Sequence, residues 1–115
     1  MNDKKLWLII SAVSGFTAVA IGAFGAHGLR ETLSKQMLDV YKTGVLYQLM
    51  HTAVLLALSL NTVIKAKVPS IFFLIGIILF SFSLYIYSTS GIRFFAMITP
   101  VGGFFFFFFW LFIIY

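Results

Sequence analysis

The sequence contains no cysteine, which excludes disulfides, thiolate metal sites and cysteine nucleophiles. Acid is nearly as scarce. The three carboxylates, Asp3, Glu31 and Asp39, all lie outside the long apolar runs. Proton relays and ion-coupled transporters commonly place an acid inside the membrane, and glycoside hydrolysis commonly needs two carboxylates a few ångströms apart. Neither pattern has its residues here. Charged residues make up only 10% of the chain, against about 25% in soluble domains, so a water-facing surface cannot be assembled. Soluble enzymes, nucleic-acid binders and disordered regulators are excluded with it.

What is present is overwhelmingly apolar. Of 115 residues 62% are hydrophobic, 15 of them Phe, and the mean hydropathy is +1.08. A chain of this length allows one domain, here a single integral membrane domain over residues 1–115. The formal charge of +5 would point to nucleic acid in a soluble domain. Here the cations stand at the edges of apolar runs, as Lys4, Lys5, Arg30, Lys35, Lys42, Lys65, Lys67 and Arg93. That placement suits lipid head groups and topology setting, so the expected partner is the lipid bilayer and not nucleic acid.

The apolar runs predict four spans, at about 6–26, 45–63, 70–87 and 94–115. The first measures roughly 31 Å as a helix, matching a hydrocarbon core of about 30 Å. Lys4 and Lys5 followed by Ala18-Val19-Ala20 also resemble a signal peptide, but the apolar run continues past that point, so it reads as a retained span. Between spans one and two, Leu29, Leu33, Met37, Val40 and Tyr41 recur at three and four, with Arg30, Glu31, Lys35, Asp39 and Lys42 on other faces. This predicts an amphipathic interfacial helix over about 29–44 that runs on into span two. The expected fold is therefore an all-α membrane protein with four transmembrane helices in an antiparallel bundle. The two sides of the membrane carry four cations each, so the positive-inside rule gives no majority. Lys4 and Lys5 abut the first span, and both termini are expected in the cytoplasm on that ground.

Within the spans, small residues recur at Ser14, Ala18, Gly22 and Ala26, with Gly25 and Gly28 alongside. Such a stripe lets two helix backbones approach closely in lipid. Tyr47, Gln48, His51 and Thr52 form a polar face on span two, reading either as an interhelical hydrogen-bond cluster or as the lining of a small-ligand path. His27 and His51 are the only histidines and form a candidate pair for haem or a metal. Ser81, Tyr85 and Ser88 form one stripe on span three, with Gly76 and Ser83 beside it. Thr99-Pro100 reads as an N-cap and first helical residue, or else Pro100 kinks a longer helix. Gly102-Gly103 then leaves backbone open to close approach, as at the broken helices of transporters. The run Phe104 to Phe109 points rings all round the helix and reads as lipid-facing filler, with Trp110 and Tyr115 as interfacial anchors.

Four strings, Gly22-Ala-Phe-Gly-Ala-His27, Thr43-Gly44 with Tyr47-Gln48 and His51-Thr52, Leu79-Phe-Ser with Ser83-Leu-Tyr85, and Thr99-Pro-Val-Gly-Gly103, occur together and in order. In this the chain resembles the small bacterial inner-membrane family typified by YgdD and YwdK, a domain of unknown function. The resemblance covers essentially the whole chain and implies a multi-span protein of the bacterial inner membrane with no assigned activity. It places motif positions at Gly22, Gly25, His27, Tyr47, Gln48, His51, Ser81, Ser83, Tyr85, Pro100, Gly102 and Gly103. The family usually carries a small residue at position 82 and Gly at 109, so Phe82 and Phe109 imply looser packing of spans three and four. No catalytic residue and no cofactor is implied, and no enzymatic activity is expected. The expected role is a structural or interaction module that forms a homo-oligomer or joins a larger membrane complex. The alternatives are a small transport or channel module lined by Tyr47, Gln48, His51 and the Pro100–Gly103 break, or a haem-binding subunit using His27 and His51.

Overall fold

The computed structural model describes residues 3–114, and every regular element in it is helical. Helix α1 covers Asp3–His27 and α2 covers Lys35–Leu60. The third span, Lys67–Ser90, is made of α3 (Lys67–Gly76), a π-helical segment (Ile77–Phe82) and α4 (Ser83–Ser90). Helix α5 runs over Arg93–Ile114. Four of these stretches are long and apolar enough to cross a membrane. The expected anchor Tyr115 lies outside the described residues, and Trp110 is 43% exposed on α5.

One loop differs from the sequence expectation, and at Pro100 the structure realises one of the two readings, the longer helix. Residues 28–34 form a turn, and the helix starts only at Lys35, where Ser34 caps it by accepting from the Met37 amide. The amphipathic stretch is thus the first turns of α2, as its run-on suggested, and forms no separate element. An α2 of roughly 39 Å outreaches the hydrocarbon core, which leaves Lys35, Asp39 and Lys42 exposed at its start. At the other break, Pro100 sits inside α5 and does not open it. Thr99 therefore has no capping role. Its hydroxyl lies against that of Ser83 at 2.6 Å and over the Phe95 carbonyl at 3.4 Å. Hydroxyls from neighbouring turns and helices are what allow proline inside a membrane helix.

Neighbouring helices run antiparallel, in a row from α1 to α2 to the third span to α5. The pairs that fix the register are Ser14 with Thr52, Gly44 with Ser81, and Ser83 with Thr99. α1 packs along α2, with Ser11, Ser14, Ala18 and Gly25 as its buried seam. The apolar core lies toward the C-terminal half of α2, where Leu55, Leu58, Phe73, Ile77, Phe106 and Phe109 meet, with Trp7 and Ile10 of α1 packed against it.

The last two spans are tighter than the family departures implied. Phe109 is fully buried against Phe73, so its ring fills the core, whereas Phe82, on the third span, is half-buried on the groove that faces α1. The phenylalanine run is accordingly two-sided. Phe106 and Phe109 face inward one turn apart, while Phe104, Phe107 and Phe108 face lipid. Close approach is set by Gly102, where any Cβ would meet the Leu79–Phe80 backbone. The π-helical widening brings that backbone forward, and a glycine receives it.

A methyl group at Gly102 has only backbone to push against, whereas one at Gly103 would find Phe80 ring atoms at 3.9 Å. Gly102→Ala is expected to destabilise the fold by about 1–3 kcal/mol, the usual cost of overpacking, and Gly103→Ala to stay within about 0.5 kcal/mol. Unfolding titrations of the two variants in mixed micelles would measure both.

Candidate functional site

The polar residues of the spans gather around one side chain. Gln48 is fully buried, and its carboxamide bonds in three directions. Nε2 donates to the Ser14 carbonyl at 2.9 Å and to the Thr17 hydroxyl at 3.0 Å, both on α1. Oε1 accepts from the Tyr85 hydroxyl on α4 at 2.6 Å. One amide therefore ties three helices together. The Ser14 and Thr52 hydroxyls bond beside it at 2.6 Å, and the Tyr41 hydroxyl donates to the Ile21 carbonyl of α1.

The third span is drawn against α2 in the same region. Ser81 donates to the Gly44 carbonyl at 2.8 Å, and Tyr85 leans on Tyr41 with ring centroids 5.4 Å apart. This requires glycine at position 44, since a Cβ there would come within 2.7 Å of the Tyr85 ring and 3.1 Å of the Ser81 carbonyl. Ser83 donates to the Phe80 carbonyl at 2.8 Å and so accepts from Thr99 on α5. Among the described residues, no fully occluded side-chain nitrogen or oxygen lacks a partner.

His51 lies one turn along α2 in different surroundings. It is 3% exposed, its ring stacks on Phe106 at 3.7 Å, and Phe73 meets it edge-on at 4.8 Å. Its Nδ1 lies 2.8 Å from the Tyr47 carbonyl, which can only accept, so the proton sits on Nδ1. Tyr47 is half-buried and stacks alongside the imidazole.

His27 is not part of this arrangement. It is exposed at the end of α1, while His51 neighbours Thr52, the partner of Ser14. From Ser14 to His27 the helix rises roughly 20 Å, so the structure does not bring the two histidines together as ligands of one haem or metal. Among the described residues no three His, Asp or Glu side chains cluster as metal ligands. Gly22 is half-buried against Val45, and Gly25 lies under the Tyr41 ring. Pro100, Gly102 and Gly103 sit beside the π-helical segment and not beside Gln48. Thr17 is the participant that the sequence motifs missed. The available signal was its spacing of three from Ser14, which puts a second hydroxyl on the same side of an apolar helix.

Gln48→Leu removes both donors and the acceptor at once. With three interhelical bonds lost, the expected cost is about 2–5 kcal/mol, at roughly 0.6–1.7 kcal/mol for each such bond in a membrane. Tyr85→Phe should cost about one such bond, and the double variant less than the sum, because the two share that bond. His27→Ala should stay within about 0.5 kcal/mol. Denaturant titrations of the four proteins supply the comparison.

Residues 21–103 match the family model described as a protein of unknown function, DUF423. The chain is 38% identical over 111 residues to the UPF0382 inner membrane protein YgdD of Escherichia coli, covering 93% of this chain and 85% of the relative. It is 39% identical over 115 residues to a UPF0382 membrane protein of Haemophilus influenzae, covering 97% and 93%. YwdK, a UPF0382 membrane protein of Bacillus subtilis, is 37% identical over 115 residues, covering 96% and 94%. No solved structure is similar to it. With its four spans and relatives that cover nearly its whole length, the chain belongs to the DUF423 (UPF0382) family of multi-pass bacterial membrane proteins.

Proposed function

We propose that the chain is a non-catalytic structural and interaction module of the inner membrane, acting by self-association or as an accessory subunit of a larger membrane complex. The observation that carries this reading is the engagement of Gln48 at both ends of its carboxamide. Its bonds clamp α1 and α4 to α2, and although Gln48 borders the apolar groove between α1 and the third span, a carboxamide so committed has no free donor or acceptor to offer a passing solute. Buried polar groups in membrane proteins often fix helix register in this way. What the clamp leaves to the surroundings is the outer flank of α1, with Phe16 at 75% and Val19 at 63% exposed, and that of α5, with Phe104 at 63%.

A second reading, a small transport or channel module, draws on one feature. The π-helical segment and the Pro100–Gly103 stretch lie side by side, and adjacent helix breaks occur at transporter binding sites. That reading requires the Gln48–Tyr85 bond to open during a cycle.

Purification of the tagged protein in native nanodiscs, followed by intact-complex mass spectrometry, separates the two. A stoichiometric homo-oligomer or a stoichiometric larger partner is the outcome expected of an interaction module. A lone copy that conducts solute into liposomes, with flux abolished by Gln48→Leu, would overturn it in favour of transport.

A further inference from the structure

α1 and the third span flank α2 without packing along one another, and a crevice runs between them. At the membrane face that carries the start of α1, the crevice holds a pocket of about 170 Å³ in which charged and hydroxyl groups stand among apolar walls. Lys4 and Trp7 from α1, Ser59 from the end of α2, and Lys67 and Ser70 from the start of α3 line it, with Asp3 at its rim. Further along the same two helices lies an apolar groove of about 370 Å³, walled by Ile9 and Val13 on one side and by Leu74, Ile78 and Phe82 on the other, with Ser14, Thr17 and Gln48 of the polar cluster also along it. From Ser70 to Phe82 the span rises at most roughly 18 Å, since its second half is π-helical, about the depth of one hydrocarbon leaflet, half of a core about 30 Å thick.

Three features of the pocket point to a phosphate group. Lys4 and Lys67 outnumber the single carboxylate of Asp3, whose Oδ2 stands 4.0 Å from the Lys67 Nζ in an exposed, weakly held pair. The N-terminus of α3 has no side-chain cap; Pro69 carries no N–H and the Ser70 amide bonds the Ala66 carbonyl, which leaves the Lys67 and Val68 amides open to an anion. Ser70 is 1% exposed and its hydroxyl makes no hydrogen bond within the chain. Since every fully occluded polar side-chain atom among the described residues is bonded, the free hydroxyl is an accessible one, and it opens onto this pocket. Ser59 uses its proton on the Leu56 carbonyl, which leaves Ser70 as the hydroxyl donor.

We infer that this crevice is a binding site for one anionic phospholipid, its phosphate held by Lys4, Lys67 and Ser70 and one acyl chain lying in the groove between α1 and the third span. A basic pocket followed by an apolar groove along the same two helices selects a lipid over a soluble phosphate, because a soluble ion leaves the groove without an occupant. Trp7 sits at head-group level beside the site, where an indole suits the interface.

The test uses the whole protein in mild detergent, titrated with phosphatidylglycerol, phosphatidylethanolamine or inorganic phosphate and read by native mass spectrometry. Wild type should retain one phosphatidylglycerol per chain in preference to phosphatidylethanolamine. K4Q/K67Q should weaken retention about tenfold or more, at about 1 kcal/mol for each surface cation, and S70A severalfold. I78W, at a position already 48% exposed, should expel the lipid by filling the groove while leaving the melting temperature intact. K35Q/K42Q makes the same charge change at the opposite membrane face and should have no effect. Retention unaltered in K4Q/K67Q, or equal retention of the two lipids, would overturn the assignment. Displacement of the lipid by millimolar phosphate together with undiminished binding in I78W would replace it with a site for soluble phosphate.

Discussion

A carboxamide in hydrocarbon must have its partners. Left without them, each polar group costs several kcal/mol, and Gln48 carries two donors and an acceptor into the middle of α2. This requirement orders the rest of the structure. The donors fix the height of α1, because only a turn with an accessible carbonyl at Ser14 and a hydroxyl at Thr17 receives both. The acceptor fixes the rotation of α4, because Tyr85 must aim its hydroxyl inward. Gly44 follows from that, since the tyrosine ring and the Ser81 carbonyl occupy the space where a side chain would stand.

The second half of the molecule meets a different constraint with similar means. A π-helical ladder and a proline each disturb the regular pattern of backbone bonding, and here they lie against each other across α5 and the third span. Ser83 and Thr99 supply hydroxyls at the contact, and Gly102 admits the displaced backbone. Below them the contact becomes wholly aromatic, with Phe73, Phe106, Phe109 and the His51 imidazole packed as one cluster. The fold therefore has a polar clamp joining α1, α2 and the third span and, further along α2, a core of aromatic and aliphatic side chains.

Much of this was legible in the sequence. Apolar length gave four crossings, and spacing put Gln48, His51 and Thr52 on one buried face of α2. What spacing could not give was the partner of each side chain. Tyr85 stands on its own stripe in span three, and only the packing of two helices shows that it closes on Gln48. Proline at 100 reads as a helix start from local rules, yet the preceding turn is apolar and needs internal backbone bonds in lipid, so the helix extends back to Arg93. The six-phenylalanine run has no periodicity of its own. Its inward pair, Phe106 and Phe109, is chosen by Gly76 and Phe73 opposite, which local sequence does not reveal. His27 and His51 are one residue type in two settings, and only the helix register shows that the first is exposed at the end of α1 while the second is buried in α2.

The single-sided attachment of α1 bears on the order in which the protein is made. α1 and α2 leave the ribosome first, and together they already hold two of the three Gln48 bonds, the Ser14–Thr52 bond and the anchoring of Tyr41 on Ile21. A nascent hairpin of these two helices enters the bilayer with its strongest donors satisfied. Only the Gln48 carbonyl oxygen waits, and an under-satisfied acceptor is the more easily tolerated kind. When the third span arrives, Tyr85 finds that oxygen already aimed, so biogenesis can proceed by adding helices to a finished template without rearranging what was inserted before.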